Sequence, residues 1–476
     1  MKKISYKIAS MLLAVVMLSS CGNGFLDTEY TGGVDSEDAY SSVSNIEVAL
    51  NGAYNRLADD EFAGAYTTII GDIASDLGSH SSATTHYLSH FNYTILATDG
   101  YLESIWSTGY RIIDMCSKII EAHDNFEDTD YEDLIPTVAQ AYALRAYAHY
   151  QLVNIFAVAY KVEGATITDN GSQPGIVVVD SPVELGSTVT RSTIAQTYTA
   201  INSDIDDAIA LFNQSAVYSG TVMNRASTYA LKARVALMAC DYETAITAAD
   251  NALAAASSDL GKDGSLFASA SAMISAYASV ADNCENITYI VKSVEDNLSA
   301  YSLGTAYGDY GLSYNSTLTD MLSASDMRAA AYSEYAGKYA GASGNPAVAN
   351  VRVFAMPELY LIKAEANIKK SSADVAAAQE ALLVVASRDT DIASTSDLPS
   401  TVEDLDSFIQ DERARELFYE GHRVYDLRRW GNLVTVTDGK YTNFDISKFS
   451  CPIPSSEINS GYGVEQTENW SSYLPK

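Results

Sequence analysis

Residues 225–256 constrain this chain more tightly than any other stretch. Ala226, Tyr229, Ala230, Ala233 and Leu237 recur on one helical face, a short break follows at Cys240 and Asp241, and Ala245, Ala249, Ala252 and Leu253 build the next inner face. Small residues at buried positions let a neighbouring helix approach closely, so this unit is built to pack against further helices. The same three- and four-residue recurrence predicts helices over 46–57, 105–122, 134–156 and 194–212. In the third of these the apolar stripe runs through Ala141, Leu144, Ala148, Leu152 and Ile155.

The run D-Y-x-x-A-I-x-x-A-x-x-A-L that begins at Asp241 resembles the second helix of a tetratricopeptide repeat. A degenerate second pair over 358–371 and 373–387 points to a short solenoid-like array. Between the helical blocks, 71–101 and 301–347 show no helical period and are longer than ordinary connections, which marks them as loops that carry binding. A third irregular stretch is expected from Gly431 to the end.

The net charge of −32 repels phosphates and anionic headgroups, and so excludes a basic-patch reader of nucleic acid. The first twenty residues hold three lysines and no acid, so their removal deepens the charge to −35. That segment has a basic start, an eleven-residue apolar run over 8–18, and Leu18-Ser19-Ser20-Cys21. The run is too short to span a bilayer and suits a secretory signal, and L-S-S-C resembles a bacterial lipobox with Cys21 as the acylated residue. Residues 1–20 are therefore expected to be a lipoprotein signal peptide, 21–40 a tether, and 41–476 one domain with irregular insertions near 71–104 and 300–350. Cys116, Cys240, Cys284 and Cys451 are far apart and do not form a zinc set.

The block from Ile409 to Gly431, IQDERARELFYEGHRVYDLRRWG, resembles the carboxy-terminal signature of the SusD/RagB family, E-R-x-x-E-L-x-x-E-G-x-R-x-x-D-L-x-R-x-G. Further similarities keep the family's order: ALRAYAHYQLVNIF at 143–156, RSTIAQTY at 191–198, YLIKAEA at 360–366 and PIPSSEI at 452–458. Departures are local. Ala157-Val158-Ala159-Tyr160 stands where relatives have G-x-V-P-L, and no acidic pair follows Cys21 directly. The resemblance implies a mostly α protein whose tetratricopeptide-like pairs form a right-handed superhelical scaffold beside a loop-rich ligand-binding half. It also implies an outer-membrane lipoprotein, anchored by lipid, that captures oligosaccharides and delivers them to a SusC-like TonB-dependent transporter. It implies no catalysis and no cofactor; a peptide-capturing member of the family and a surface glycosidase are the alternatives.

Within the signature, Glu412, Arg413, Glu416, Glu420, Gly421, Arg423, Asp426 and Arg429 read as structure, a charged network on a helix stopped at Gly421. Arginines crowded around these acids are expected to depress their pKa values and so disable a glycosidase-type acid. His80, His86 and His90 share one loop without a fourth ligand nearby, so polar contact is favoured over metal. Sugar recognition calls for aromatic faces with polar partners between them. Asp76, Tyr87, Phe91 and Trp106 from one segment, and Tyr301, Tyr307, Tyr310 and Tyr314 from the other, are the candidate ligand contacts. The spacing Tyr307-x-x-Tyr310-x-x-x-Tyr314 is able to place three rings on one side of a turn, with core packing as the alternative for each. Basic residues are scarce in both segments, so a neutral oligosaccharide is expected.

Overall fold

The structure is a computed structural model and describes residues 39–184, 186–294, 301–436, 441–468 and 470–474. The signal segment 1–20, Cys21 and nearly all of the tether lie outside the described residues. Helices dominate, and they pair as the Ala-rich stripes require. In chain order the first are α1 (Val43–Ala58), α2 (Tyr66–Ile73), α3 (Leu88–Phe91), α4 (Gly100–His123), α5 (Asp128–Phe156), α6 (Ile194–Phe212), α7 (Arg225–Met238) and α8 (Tyr242–Leu260). There follow α9 (Ala270–Tyr277), α10 (Leu303–Tyr307), α11 (Ser316–Met321), α12 (Met327–Ser333), α13 (Met356–Lys369), α14 (Val375–Ala386), α15 (Val402–Leu417), α16 (Arg423–Trp430) and α17 (Ser455–Asn459).

The long helices stack in sequence: α1 on α4, α4 on α5, α5 on α6, α6 on α7 and α7 on α8. The array then skips the chain's irregular middle, because α8 packs next on α13, which carries α14 and α15. The boundaries follow local chemistry. Thr193 and Gln196 close a reciprocal capping box at the start of α6, and Asn224 with Ser227 does the same for α7. Cys240 takes a left-handed φ of 55° in the break before α8, and Gly261 ends that helix at φ 67°. The pairs are tetratricopeptide-like, as the sequence pattern predicts.

Three expectations need correction. The stretches 71–101 and 301–347 are not wholly irregular, since the first completes α2 and forms one turn at Leu88–Phe91 and the second contains α10, α11 and α12. The signature helix ends at Leu417, before Gly421, and a turn with Tyr419 at φ 73° and Gly421 at φ 77° leads into α16. The region after Gly431 contains an antiparallel strand pair, Leu433–Val436 with Tyr441–Asp445, then α17.

The turn at Gly421 is pressed against α2. A Cβ on Gly71 would lie 2.1 Å from the Gly421 carbonyl oxygen, and one on Gly421 would lie 2.7 Å from Thr68 Cα. Backbone meets backbone here, so neither side can rotate away. Gly71→Ala is therefore expected to cost about 1–3 kcal/mol or more through overpacking, read as a lower urea midpoint with an unchanged slope.

Candidate ligand-binding surface

Two long loops are stitched together before any ring is presented. β1 (Gly78–Ser79) pairs antiparallel with β2 (Ser313–Tyr314), and Asn315 donates from its backbone to Leu77 O at 2.8 Å and from Nδ2 to Asp76 O at 2.7 Å. Asp76, a candidate contact, is occupied in this seam: Arg423 grips its carboxylate with Nε at 2.9 Å and Nη2 at 2.8 Å. It acts as a clamp between loop and signature, which its position in sequence does not reveal.

The stitching brings a set of rings to the surface. His86 and Tyr310 stack with centroids 4.3 Å apart and planes 13° apart, and Tyr301 meets His86 edge-on at 5.9 Å. The Tyr101 hydroxyl shares a 2.8 Å hydrogen bond with His86 Nδ1. Below lies a second layer, in which Tyr87 stacks on Tyr101 at 4.1 Å and Tyr66 lies edge-on to Tyr101 at 5.0 Å. Tyr301 is 40% exposed, whereas Tyr87 is buried. Tyr335, 54% exposed, packs over Gly308 and donates its hydroxyl to Asp309. Desolvation, then Tyr301 and Asp99, push the Tyr101 phenol up to about 12, and the Asp309 contact does the same for Tyr335. Their hydroxyls stay protonated, and with those protons engaged the phenol oxygens can accept from sugar hydroxyls.

The three-ring arrangement of Tyr307, Tyr310 and Tyr314 is not formed. Only Tyr310 joins the surface set. Tyr307 is buried, lies parallel to Tyr339 at 6.0 Å, meets Tyr419 edge-on, and donates its hydroxyl to Asp72 Oδ2 at 2.9 Å. Tyr314 is half-buried against Phe418 and Tyr419 and donates to the Tyr332 carbonyl. The stretch is a short helix, a turn and a strand, so helical spacing does not carry through it. Phe91 is likewise in the core, stacked on His80. Trp106 is buried against Phe156 and Tyr110 and lines a different cavity of about 250 Å³ with Val177, Val179 and Glu457.

The three histidines of the loop do not converge. His80 Nε2 bonds the His86 carbonyl, His86 joins Tyr101, and His90 is buried 3.8 Å from Asp99. Among the described residues no three His, Cys, Asp or Glu side chains gather as a metal-ligating group, and no helix is long and apolar enough to cross a membrane. His86 and Tyr101 belong to this ring set and are the members that sequence reasoning did not pick out. Both stand in the flagged segment, but nothing in their spacing singles them out.

The signature acids are paired mostly from outside their own block. Glu412 holds Arg328 at 2.7 Å and Arg415 at 2.8 Å; Glu416 holds Arg388 and Arg328; Glu420 holds Lys338 and Arg352. Arg413 and Arg429 pair with Asp426 and with Glu365 of α13. Although burial opposes it, Arg328 and Arg415 hold Glu412 down at about 2, and Lys338 and Arg352 hold Glu420 below the usual range. Glu416 departs from the expected depression, because burial outweighs Arg388 and Arg328 and raises it. Glu412 and Glu416 are buried behind arginines, and the Glu420 side chain is 7% exposed behind Lys338 and Arg352.

A paired-helix scaffold that presents an aromatic surface on two stitched loops is the architecture of a binding protein. One family model, described as starch-binding associating with outer membrane, matches residues 24–237, and a second, the SusD family, matches 276–470. The chain belongs to the SusD/RagB family. It is similar to SusD-like protein P2 of Formosa agariphila, 28% identical over 160 residues, a match that spans 33% of this chain and 30% of that relative's length. Among solved structures it resembles a SusD superfamily protein from Bacteroides vulgatus (TM-score 0.80, 22% identity, covering 90% of this chain and 99% of that one). It also resembles one from Bacteroides thetaiotaomicron (TM-score 0.77, 20% identity, covering 90% and 100%). A SusD-like carbohydrate binding protein from Bacteroides vulgatus aligns at TM-score 0.67 and 19% identity, over 83% of this chain and 84% of that chain.

Proposed function

We propose that this protein is a non-catalytic surface lipoprotein that captures oligosaccharides and passes them to a SusC-like TonB-dependent transporter in the outer membrane. The single observation that carries the capture step is the His86, Tyr310 and Tyr301 surface, stacked and wet on one side, with Tyr101 and Tyr335 hydroxyls at its margin. Sugar rings present an apolar face to aromatic planes and hydroxyls to such oxygens. Acidic side chains stand around these rings, Asp309 beside Tyr310 and Tyr335, and Asp60 and Glu61 beside Tyr66, which favours a neutral glycan over a polyuronate. Family membership supports the membrane setting and the barrel partner. Cys21 is the proposed lipid attachment, after a signal over 1–20 and before a tether over 21–40 that leads into one domain over 41–476.

Calorimetric titration of the soluble form against neutral oligosaccharides, an acidic glycan and peptides tests this reading. One neutral glycan series is expected to bind, and Tyr310→Ala or Tyr301→Ala each to weaken it roughly tenfold, about 1.4 kcal/mol. Tyr314→Ala is expected to leave affinity intact in the folded fraction. Binding of peptides alone, or release of cleaved sugar, overturns the glycan-capture reading.

A further inference from the structure

Eight arginines are buried among the described residues, and seven of them have a carboxylate within 4.0 Å. Arg428, on α16, is the exception. Its Nη1 and Nη2 donate to the carbonyls of Asn154 and Ala157, both at 2.5 Å, while Nε is buried with no partner. The ionisable groups nearest this guanidinium do not compensate it. Burial pushes the Cys451 thiol up to about 12 and raises the Tyr425 and Tyr198 phenols, so all three stay neutral. Asp426 on the same helix is committed to Arg413 and Arg429.

Arg428 lines a cavity at the junction of the α5 C-terminus, α6, α7 and α16, in which the centre of a water-sized sphere has about 10 Å³ to move, room for one small ion or water. Two other residues of the lining also carry buried polar atoms without a partner, Tyr425 Oη and Asn154 Nδ2. The Asn154 amide lies within hydrogen-bonding range of the Tyr150 hydroxyl, which leaves at least one of the two Nδ2 hydrogens unmet. The unmet groups are thus a guanidinium N–H, a phenol O–H and an amide N–H. All three can donate, the lining contains no carboxylate, and a second cation, Arg429, stands beside them. A water molecule could accept from two donors, but its own hydrogens would face a cation-rich wall and it would bring no charge to balance a buried guanidinium. A halide accepts from every direction and supplies that charge.

We infer that this cavity binds a small monovalent anion, chloride in ordinary buffers, held by Arg428, Tyr425 and Asn154. The ion would tie the end of α5 to α16 and so lock the signature helix onto the repeat scaffold. The lining shares no residue with the proposed ligand surface, so the site is independent of it.

Crystals of the purified protein grown in sodium bromide are expected to show one bromine anomalous peak in this cavity, within hydrogen-bond reach of Arg428 Nε. In solution, the melting temperature is expected to be on the order of 2 °C higher in sodium chloride than in sodium gluconate at equal ionic strength, through preferential binding to the folded state. Tyr425→Phe removes one donor without removing bulk and is expected to shrink that difference by half or more, and Arg428→Met to abolish it. A cavity without bromine signal overturns the inference and leaves a water there. A bromine peak with equal melting in the two salts overturns it too, as an adventitious ion only.

Discussion

Arg429→Met is expected to destabilise the protein by about 3–5 kcal/mol, the range found when one partner of a buried ion pair is removed. Arg429 is 1% exposed and is the hub of its cluster. Its Nη1 and Nη2 meet Glu365 at 2.5 and 2.6 Å, its Nε and Nη2 meet Asp426 Oδ1 at 3.0 and 2.9 Å, and Nη1 lies 3.3 Å from Glu163. Methionine keeps much of the stem's volume, so the cost isolates the lost guanidinium. Glu365, already an acceptor for Trp430 Nε1 at 2.7 Å, would keep only Arg413 at 3.6 Å and Lys369 at 3.4 Å for its charge. Arg429→Lys retains the charge but loses the planar fork, and is expected to fall between wild type and Met. Adding Glu365→Leu to Arg429→Met is expected to recover part of the loss, because it removes the stranded anion; urea unfolding of the two single variants and the double variant measures that coupling. A loss below about 1 kcal/mol for Arg429→Met would show that the cluster is solvated despite its burial.

Much of the scaffold was legible in the sequence, because helix periodicity and capping are local. The predicted helix over 194–212 coincides with α6, whose start is set by the Thr193 and Gln196 box, and the break at Cys240 is where the pattern places it. The signature was legible as a charged structural block, but its pairing was not. Glu412, Glu416 and Glu420 find Arg328, Arg388, Lys338 and Arg352 from distant segments, and no spacing rule reaches across such separations. The same limit applies to the ligand surface. Asp76 lies in a loop of the kind that carries ligand contacts until Arg423, 347 residues away, is found holding it. Tyr307 and Tyr310 differ by three positions, yet one bonds a buried carboxyl and the other stacks on His86 beside solvent. Which tyrosines face outward is decided by how the two loops are sewn at β1 and β2, a long-range pairing of two residues per strand that leaves almost no signal in composition.

The second large effect is one of pH, and it rests on Asp72. This carboxyl, fully buried at the end of α2, accepts from the Tyr307 hydroxyl at 2.9 Å and from the Gly421 amide at 3.1 Å, and so joins the ligand-bearing loop, the signature turn and the core. Burial is the dominant influence and raises its pKa from 3.8 to about 8; the two hydrogen bonds and Lys338 only partly offset it. In the unfolded chain the group ionises near its ordinary value, so between roughly pH 4 and 8 the folded state keeps a proton that the unfolded state has lost. Stability from this group is whole below pH 4 and falls as pH rises, with a total loss on the order of 5 kcal/mol once pH exceeds 8. Buried His90, His149 and His422 act with the opposite sign, since their lowered pKa values cost stability as pH falls below their ordinary range, so above about pH 7 their contribution is level. Asp72→Asn imitates the protonated acid, with an amide oxygen for the Gly421 N–H and a nitrogen to donate to the Tyr307 oxygen. It is expected to match wild type near pH 4 and to exceed it by several kcal/mol at pH 9, read as diverging urea midpoints. Parallel midpoints from pH 4 to 9 would mean that Lys338 and the two donors hold Asp72 ionised in the fold. The junction of α2, Tyr307 and Gly421 would then be an ion-paired seam, and its neutral hydrogen-bonded character would have to be abandoned.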